Sequence, residues 1–277
     1  MENGRLKALL KLLTTETATY GAVLRREIAA ALKEDPVGVQ TALAEEFSDS
    51  APLPVLRTLE EIYWEELTHL FARFSSKINP DLEEGLMLLS KFQNPATARA
   101  EITQTVDDMA RTLRPALLNA NGQTDIARIL AHYFFETLGF KALQANLAIQ
   151  DISFAHFLRK RQGSGLCVAC LYMLIGNRYG LDVNLIDLAG RVLIYWQDRT
   201  QHDFFIDPLD NGKILSQEDC QAYLASRQLA WTPQCTAPLS SRQTVRRFIA
   251  NMIFVLNKVH DERRLSYLRN YLEIIKN

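Results

Sequence analysis

Apolar residues recur at three- and four-residue intervals through most of the chain, and one stretch departs from that period. Over residues 6–13, 20–34, 37–47 and 54–74 the spacing predicts amphipathic helices, with Pro36, Pro52 and Pro54 at or just inside their starts. Asn79-Pro80-Asp81 supplies a capping side chain, a proline and early carboxylates, so a further helix begins there. Asn94-Pro95 breaks the pattern, a long amphipathic helix then runs to about Leu118, and the polar residues 119–125 read as a loop. Thr124 or Asp125 opens a helix that ends in the aromatic run 134–140, and residues 153–163 give one more.

The period changes within residues 163–209. Apolar positions at helical spacing over 167–179, with Gly163 and Gly165 before them and Gly180 after, predict a buried helix punctuated by glycines. From Asp182 the residues become β-branched and roughly alternating in three runs, 183–188, 191–196 and 203–207, which predicts a small antiparallel sheet. Asp210-Asn211-Gly212 marks a turn, and Ser216 caps a short helix carrying Glu218 and Asp219 in its first turn. Residues 232–241 read as a linker before a last pair of helices over 242–260 and 261–276.

A cysteine at the start of a buried helix, faced by two strands, is one way to build a nucleophile. The amides and dipole at a helix N-terminus lower a thiol's pKa, one strand supplies a base, and the next supplies a carboxylate to orient it. In chain order these are Cys167, a residue near Gly190, and Asp207.

Several phrases carry a family resemblance: FETLGF, the glycine-led helix ending LYMLIGNRYGL, LAGRVLIYW, FIDPLDNG and LSQEDC, with DLEEGLMLLSKF upstream. Together they make residues 77–277 resemble the SirB-type branch of the transglutaminase-like superfamily. The resemblance implies a mostly helical α+β fold with a papain- or transglutaminase-like core, a Cys-His-Asp triad and a C-terminal tetratricopeptide-like hairpin. Cys167 falls at the nucleophile, where many SirB-type members carry serine, and Asp207 at the carboxylate. The phrase aligned with LAGRVL reads proline, glycine, histidine in the family, so Arg191 occupies the histidine slot. A guanidinium stays protonated and can neither take the thiol's proton nor return one.

Two readings follow. In the first, Cys167 and Asp207 are vestigial triad positions of a non-catalytic binding or regulatory scaffold, a pseudoenzyme in which Arg191 grips Asp207 through a bidentate contact. In the second, Cys167 remains reactive, as a cysteine-dependent hydrolase or acyltransferase or a thiol-reactive enzyme, and Arg191 stabilises its thiolate or an oxyanion. Of the histidines, His202 sits an odd offset before Asp207, which points the two to opposite faces of a straight strand. His156 precedes the Cys167 helix, and His69, His132 and His260 fall in ordinary amphipathic patterns.

The domain plan is a helical region over 1–76, a transglutaminase-like core over 77–236, and a hairpin over 237–277. Paired helices in the first region resemble a HEAT-type repeat, or else form a helical cap on the core. Glu83 and Glu84 open the second region's first helix, either as partners in the cleft or as charges favourable to the helix dipole. Arg159, Lys160 and Arg161 read as a solvated last turn.

Composition narrows the function classes. With 48% hydrophobic and 23% charged residues, the 277-residue chain is typical of globular proteins, and its formal net charge of -1 favours no nucleic-acid partner. No signal peptide is recognisable and no window approaches the roughly eighteen apolar residues of a membrane span, so a cytoplasmic protein without membrane contact is expected. Four cysteines are too few for a disulfide framework. Cys167 and Cys170 form a C-x-x-C, but Cys220 and Cys235 lack the paired spacing that would complete a zinc site, so Cys170 reads as a buried structural residue. The sequence calls for no cofactor and no metal, assigns protein partners to the helical regions, and leaves the oligomeric state open.

Overall fold

The computed structural model describes residues 3–15, 21–48, 51–197 and 203–276. Its first helices are α1 (Asn3–Leu12), α2 (Gly21–Glu34), α3 (Pro36–Phe47) and α4 (Leu53–Ser76). Pro36 stands at the first position of α3, and Pro52 and Pro54 flank the start of α4, where a missing amide proton costs no intrahelical bond. α5 (Leu82–Gln93) is capped by Asp81, whose side chain accepts from the Glu83 amide, and α6 (Arg99–Leu118) follows. α7 (Gln123–Ala131) continues into a π-helical turn, His132–Thr137. After β1 (Lys141–Leu143) come α8 (Phe154–Lys160), β2 (Gln162–Ser164) and α9 (Gly165–Arg178).

The sheet is β3 (Val183–Leu188), β4 (Arg191–Trp196), β5 (Phe204–Asp207) and β6 (Lys213–Leu215), antiparallel in that order. Three helices complete the chain: α10 (Gln217–Ala225), α11 (Ser241–Lys258) and α12 (Glu262–Ile274). The mostly helical α+β architecture agrees with the hydrophobic periods. No described helix is long and apolar enough to cross a membrane.

Both faces of the sheet are covered, so its strands read only roughly as alternating. Leu185, Ile194, Trp196, Phe204 and Ile206 join the main core with α9, while Ile186, Leu193, Tyr195 and Phe205 join a smaller one with Cys220 and Leu224 of α10. The register Leu185↔Ile194↔Ile206 fixes which residues share a face.

One local expectation is corrected and one alternative is resolved. The helix expected over 153–163 stops at Arg161, which takes a left-handed φ of 56°, and Gly163 lies in β2, paired in parallel with Ala142 of β1. Gly163 serves a close approach rather than helix punctuation, because an added Cβ would lie 2.9 Å from the Asp151 carbonyl. Glu83 is not a cleft partner: it stands with Glu84 in the first turn of α5, where the dipole favours a carboxylate, and it is also paired. It is 5% exposed, pairs with Arg178 at 2.5 Å, and accepts from Thr103 Oγ1 at 2.6 Å. Arg178 also binds Asp107 at 2.9 Å, so one guanidinium ties α5, α6 and the end of α9 together.

α4 and α5 take α12 and α11 respectively on their outer faces. Tyr271 of α12 donates to the Trp64 carbonyl at 2.7 Å and packs on Phe71, ring centroids 4.6 Å apart. Gly85 sets how closely α5 approaches α11: an added Cβ would stand 2.4 Å from Val245 Cγ2 and 3.1 Å from the Phe74 ring. Overpacking of about 1–3 kcal/mol outweighs a propensity gain of at most about 1 kcal/mol, so Gly85→Ala is expected to lower the urea midpoint. An unchanged or raised midpoint would show that the helices part freely there.

Candidate functional site

α9 enters directly from β2, and its N-cap, Ser164, is buried. The Ser164 hydroxyl donates to Cys167 Sγ at 3.4 Å, and the thiol in turn faces the carbonyls of Asp151 at 3.9 Å and Ile152 at 3.8 Å. Cys167 is 0% exposed. Burial pushes its thiol from 9.0 up to about 12; Ser164 opposes the rise and the Asp151 charge adds to it. This corrects the expectation of a thiol activated by the helix terminus: desolvation outweighs the hydrogen bonds that α9's first turn offers. Cys170, one turn on, is also buried and raised, first by burial and then by Cys167. All four thiols are free, and no group of three or more His, Cys, Asp and Glu residues suited to a metal occurs among the described residues.

Arg191 and Asp207 meet elsewhere. The β3–β4 loop is Ala189-Gly190, both at positive φ (50° and 91°), the handedness a tight hairpin requires. The Gly190 amide donates to Asp187 Oδ1 at 2.7 Å, and Arg247 of α11 clamps the loop by donating to the Gly190 carbonyl at 2.6 Å and pairing with Asp187 at 3.2 Å. Arg191 therefore leaves the loop in a fixed direction. One of its terminal nitrogens pairs with Asp207 Oδ2, while Asp207 Oδ1 accepts from the Leu209 amide at 2.9 Å. The Asp207 side chain is 2% exposed and that of Arg191 33%. The bidentate fork expected from the sequence is not formed, because Arg191 Nε is buried without a hydrogen-bond partner.

Strand parity places this pair. Arg191 shares its face with Leu193 and Tyr195, and Asp207 with Phe205, so both look toward α10. The Arg191 guanidinium lies 5.4 Å from the Tyr223 ring centroid, and Arg227 lies 4.8 Å from the same ring. Cys167 belongs to the core on the other face. The cysteine whose titration feels this pair is Cys220, raised to about 12 first by burial and then by Asp219 and Asp207, with Arg191 opposing. The structure thus brings Arg191 and Asp207 together, and neither is among the hydrogen-bond partners of the Cys167 sulfur. The sequence signal for their face is the odd parity of 191, 193 and 195 within β4, and of 205 and 207 within β5, against the even positions of those strands that face α9.

A cleft of about 350 Å³ opens beside the pair, lined by Gln144, Arg191, Leu209, Tyr223 and Arg227 among others, with Cys167 outside its lining. Among the described histidines, His69, His132 and His260 are exposed and His156 is half-buried, its imidazole pushed down by burial. None is among the hydrogen-bond partners of the Cys167 sulfur. His202 lies outside the described residues.

The phrases around Cys167 and Asp207 have a match beyond this chain. A family model described as the transglutaminase-like superfamily matches residues 100–250, more than half of the 277. The chain belongs to that superfamily. The matched span of this superfamily member includes α9, the whole four-stranded sheet and α10. No curated protein and no solved structure matches the chain.

Proposed function

We propose that this transglutaminase-like protein is a non-catalytic binding or regulatory scaffold in which Cys167 and Asp207 are vestigial triad positions and Arg191 fills the histidine slot. The observation that carries the proposal is that the buried Cys167 sulfur has Ser164 and two backbone carbonyls as its hydrogen-bond partners, with neither Arg191 nor Asp207 nor a described histidine among them. Cys167 is buried against Ser164 and two backbone carbonyls, and among the described residues the group holding Asp207 in an ion pair is a guanidinium that cannot shuttle protons. The reading of Arg191 as stabiliser of a Cys167 thiolate has less support, since the charge that acts on that thiol's titration among the described residues is that of Asp151, which raises it.

The finer kinship belongs to the same proposal: a cytoplasmic SirB-type member, with a HEAT-like region over 1–76, a core over 77–236 and a tetratricopeptide-like hairpin over 237–277. The antiparallel pairing of α11 with α12 and the helical build of α1 to α4 support it. Protein partners would engage the helical surfaces.

Labelling with iodoacetamide, resolved by mass spectrometry for each cysteine, tests the reading. In the native protein the partly exposed Cys235 is modified first, and Cys167 reacts only after denaturation. Rapid alkylation of Cys167 in the folded protein, or hydrolysis of an acyl substrate that is lost in Cys167→Ala, would overturn the proposal in favour of a cysteine-dependent hydrolase or acyltransferase.

A further inference from the structure

The cleft beside Arg191 holds more positive charge than its own carboxylate neutralises. Asp207 pairs with one terminal nitrogen of Arg191, and Arg191 Nε has no partner. Arg227, on the same Tyr223 ring, is paired with no carboxylate among the described residues; its side chain is held by stacking on that ring. Two guanidiniums against one buried carboxylate leave a single uncompensated positive charge at the cleft. The remaining walls are Ala189 and Gly190 of the hairpin loop, Leu209 and Tyr223, with the Gln144 amide already donating to the Leu209 carbonyl at 3.0 Å. From these features we infer that the cleft is a binding site for a small monocarboxylate with a short apolar body.

Three observations select this ligand class. Planar, forked guanidiniums match a carboxylate, and a cleft of about 350 Å³ has room for a small molecule. A surplus of one charge matches a monoanion. Tyr223 and Arg227 lie at the C-terminal end of α10, where the helix dipole is negative, and Asp207 adds a second negative group, so a phosphate dianion is disfavoured. The inference rests on the scaffold reading, since it treats Arg191 as a recognition group. Its test is nevertheless separable, because Cys167 labelling reports on the opposite face of the sheet.

The experiment is a titration of the full chain with butyrate and with benzoate at fixed ionic strength, followed by the arginine side-chain N–H resonances. Inorganic phosphate and neutral butyramide serve as comparison probes. Saturable shifts at Arg191 and Arg227 are expected with the carboxylates. Arg227→Gln, which removes no ion pair among the described residues, should weaken binding about tenfold or more, and Arg227→Lys by a smaller factor because charge survives without the fork. No saturable shift, binding unchanged in Arg227→Gln, or phosphate or butyramide binding as tightly as butyrate would each overturn the inference. Any of these failures leaves the Cys167 labelling result standing, so the two proposals fail separately.

Discussion

Replacing Arg191 with methionine is expected to cost about 2–3 kcal/mol of unfolding free energy, because it strands a carboxylate that the fold has already desolvated. Asp207 is 2% exposed and, among the described residues, its side chain keeps the Leu209 amide alone once the guanidinium is gone. The figure stands below the range for fully buried pairs because a third of the Arg191 side chain touches water. Methionine keeps much of the contact with Tyr223, so the loss reports charge more than packing. A second substitution, Asp207→Asn, removes the stranded charge while its Oδ1 can still accept from Leu209. The double variant should regain about half of the loss or more, and urea unfolding of the three variants forms the thermodynamic cycle. Additive losses would show that the pair contributes nothing as a pair.

The second large effect is alkaline. Cys167 titrates near 9.0 when unfolded and at about 12 in the fold, because burial favours the neutral thiol. A group whose folded pKa is raised contributes stability that is complete below the unfolded value and is lost as pH climbs toward the folded value. Below 9.0 both states hold the proton; above it the unfolded chain releases the proton while the fold retains it. The expected slope from this one thiol is about 1.4 kcal/mol per pH unit. Comparing urea midpoints at pH about 8 and about 10 for the natural chain and for Cys167→Ala isolates the slope. Equal pH dependence in both chains would mean that water reaches the sulfur. Tyr172 and Tyr271, also raised by burial, steepen the loss above their ordinary 10.0 in both chains alike.

Much of the fold was legible because its elements are long enough to show a period. The three runs 183–188, 191–196 and 203–207 became β3, β4 and β5 nearly residue for residue, Ser216 proved a cap and the prolines stand at helix starts, while the cap expected within 79–81 fell on Asp81. Strands of three residues have no period to show, so β1, β2 and β6 passed unread. Cys167 was legible as a position in a buried helix, but its chemistry was not, because the groups that desolvate it are the carbonyls of Asp151 and Ile152 at close quarters. Glu83 was legible as a first-turn charge, but its partner Arg178 was not, because it lies far along the sequence and only packing brings the two together. Alternation within β4 and within β5 separates the residues that share a face with Arg191 and Asp207 from those in the main core, but relating one strand to the next takes the register Ile194↔Ile206.

The bond from Tyr271 to the Trp64 carbonyl spans 207 positions of sequence. A chain emerging from the ribosome therefore presents Trp64, Phe71 and Phe92 long before their aromatic cover has been synthesised. The nascent protein must wait, with its longest helix unsheathed, for its final helix to clear the exit tunnel. That interval is when a chaperone has most to hold and when folding competes most directly with clumping.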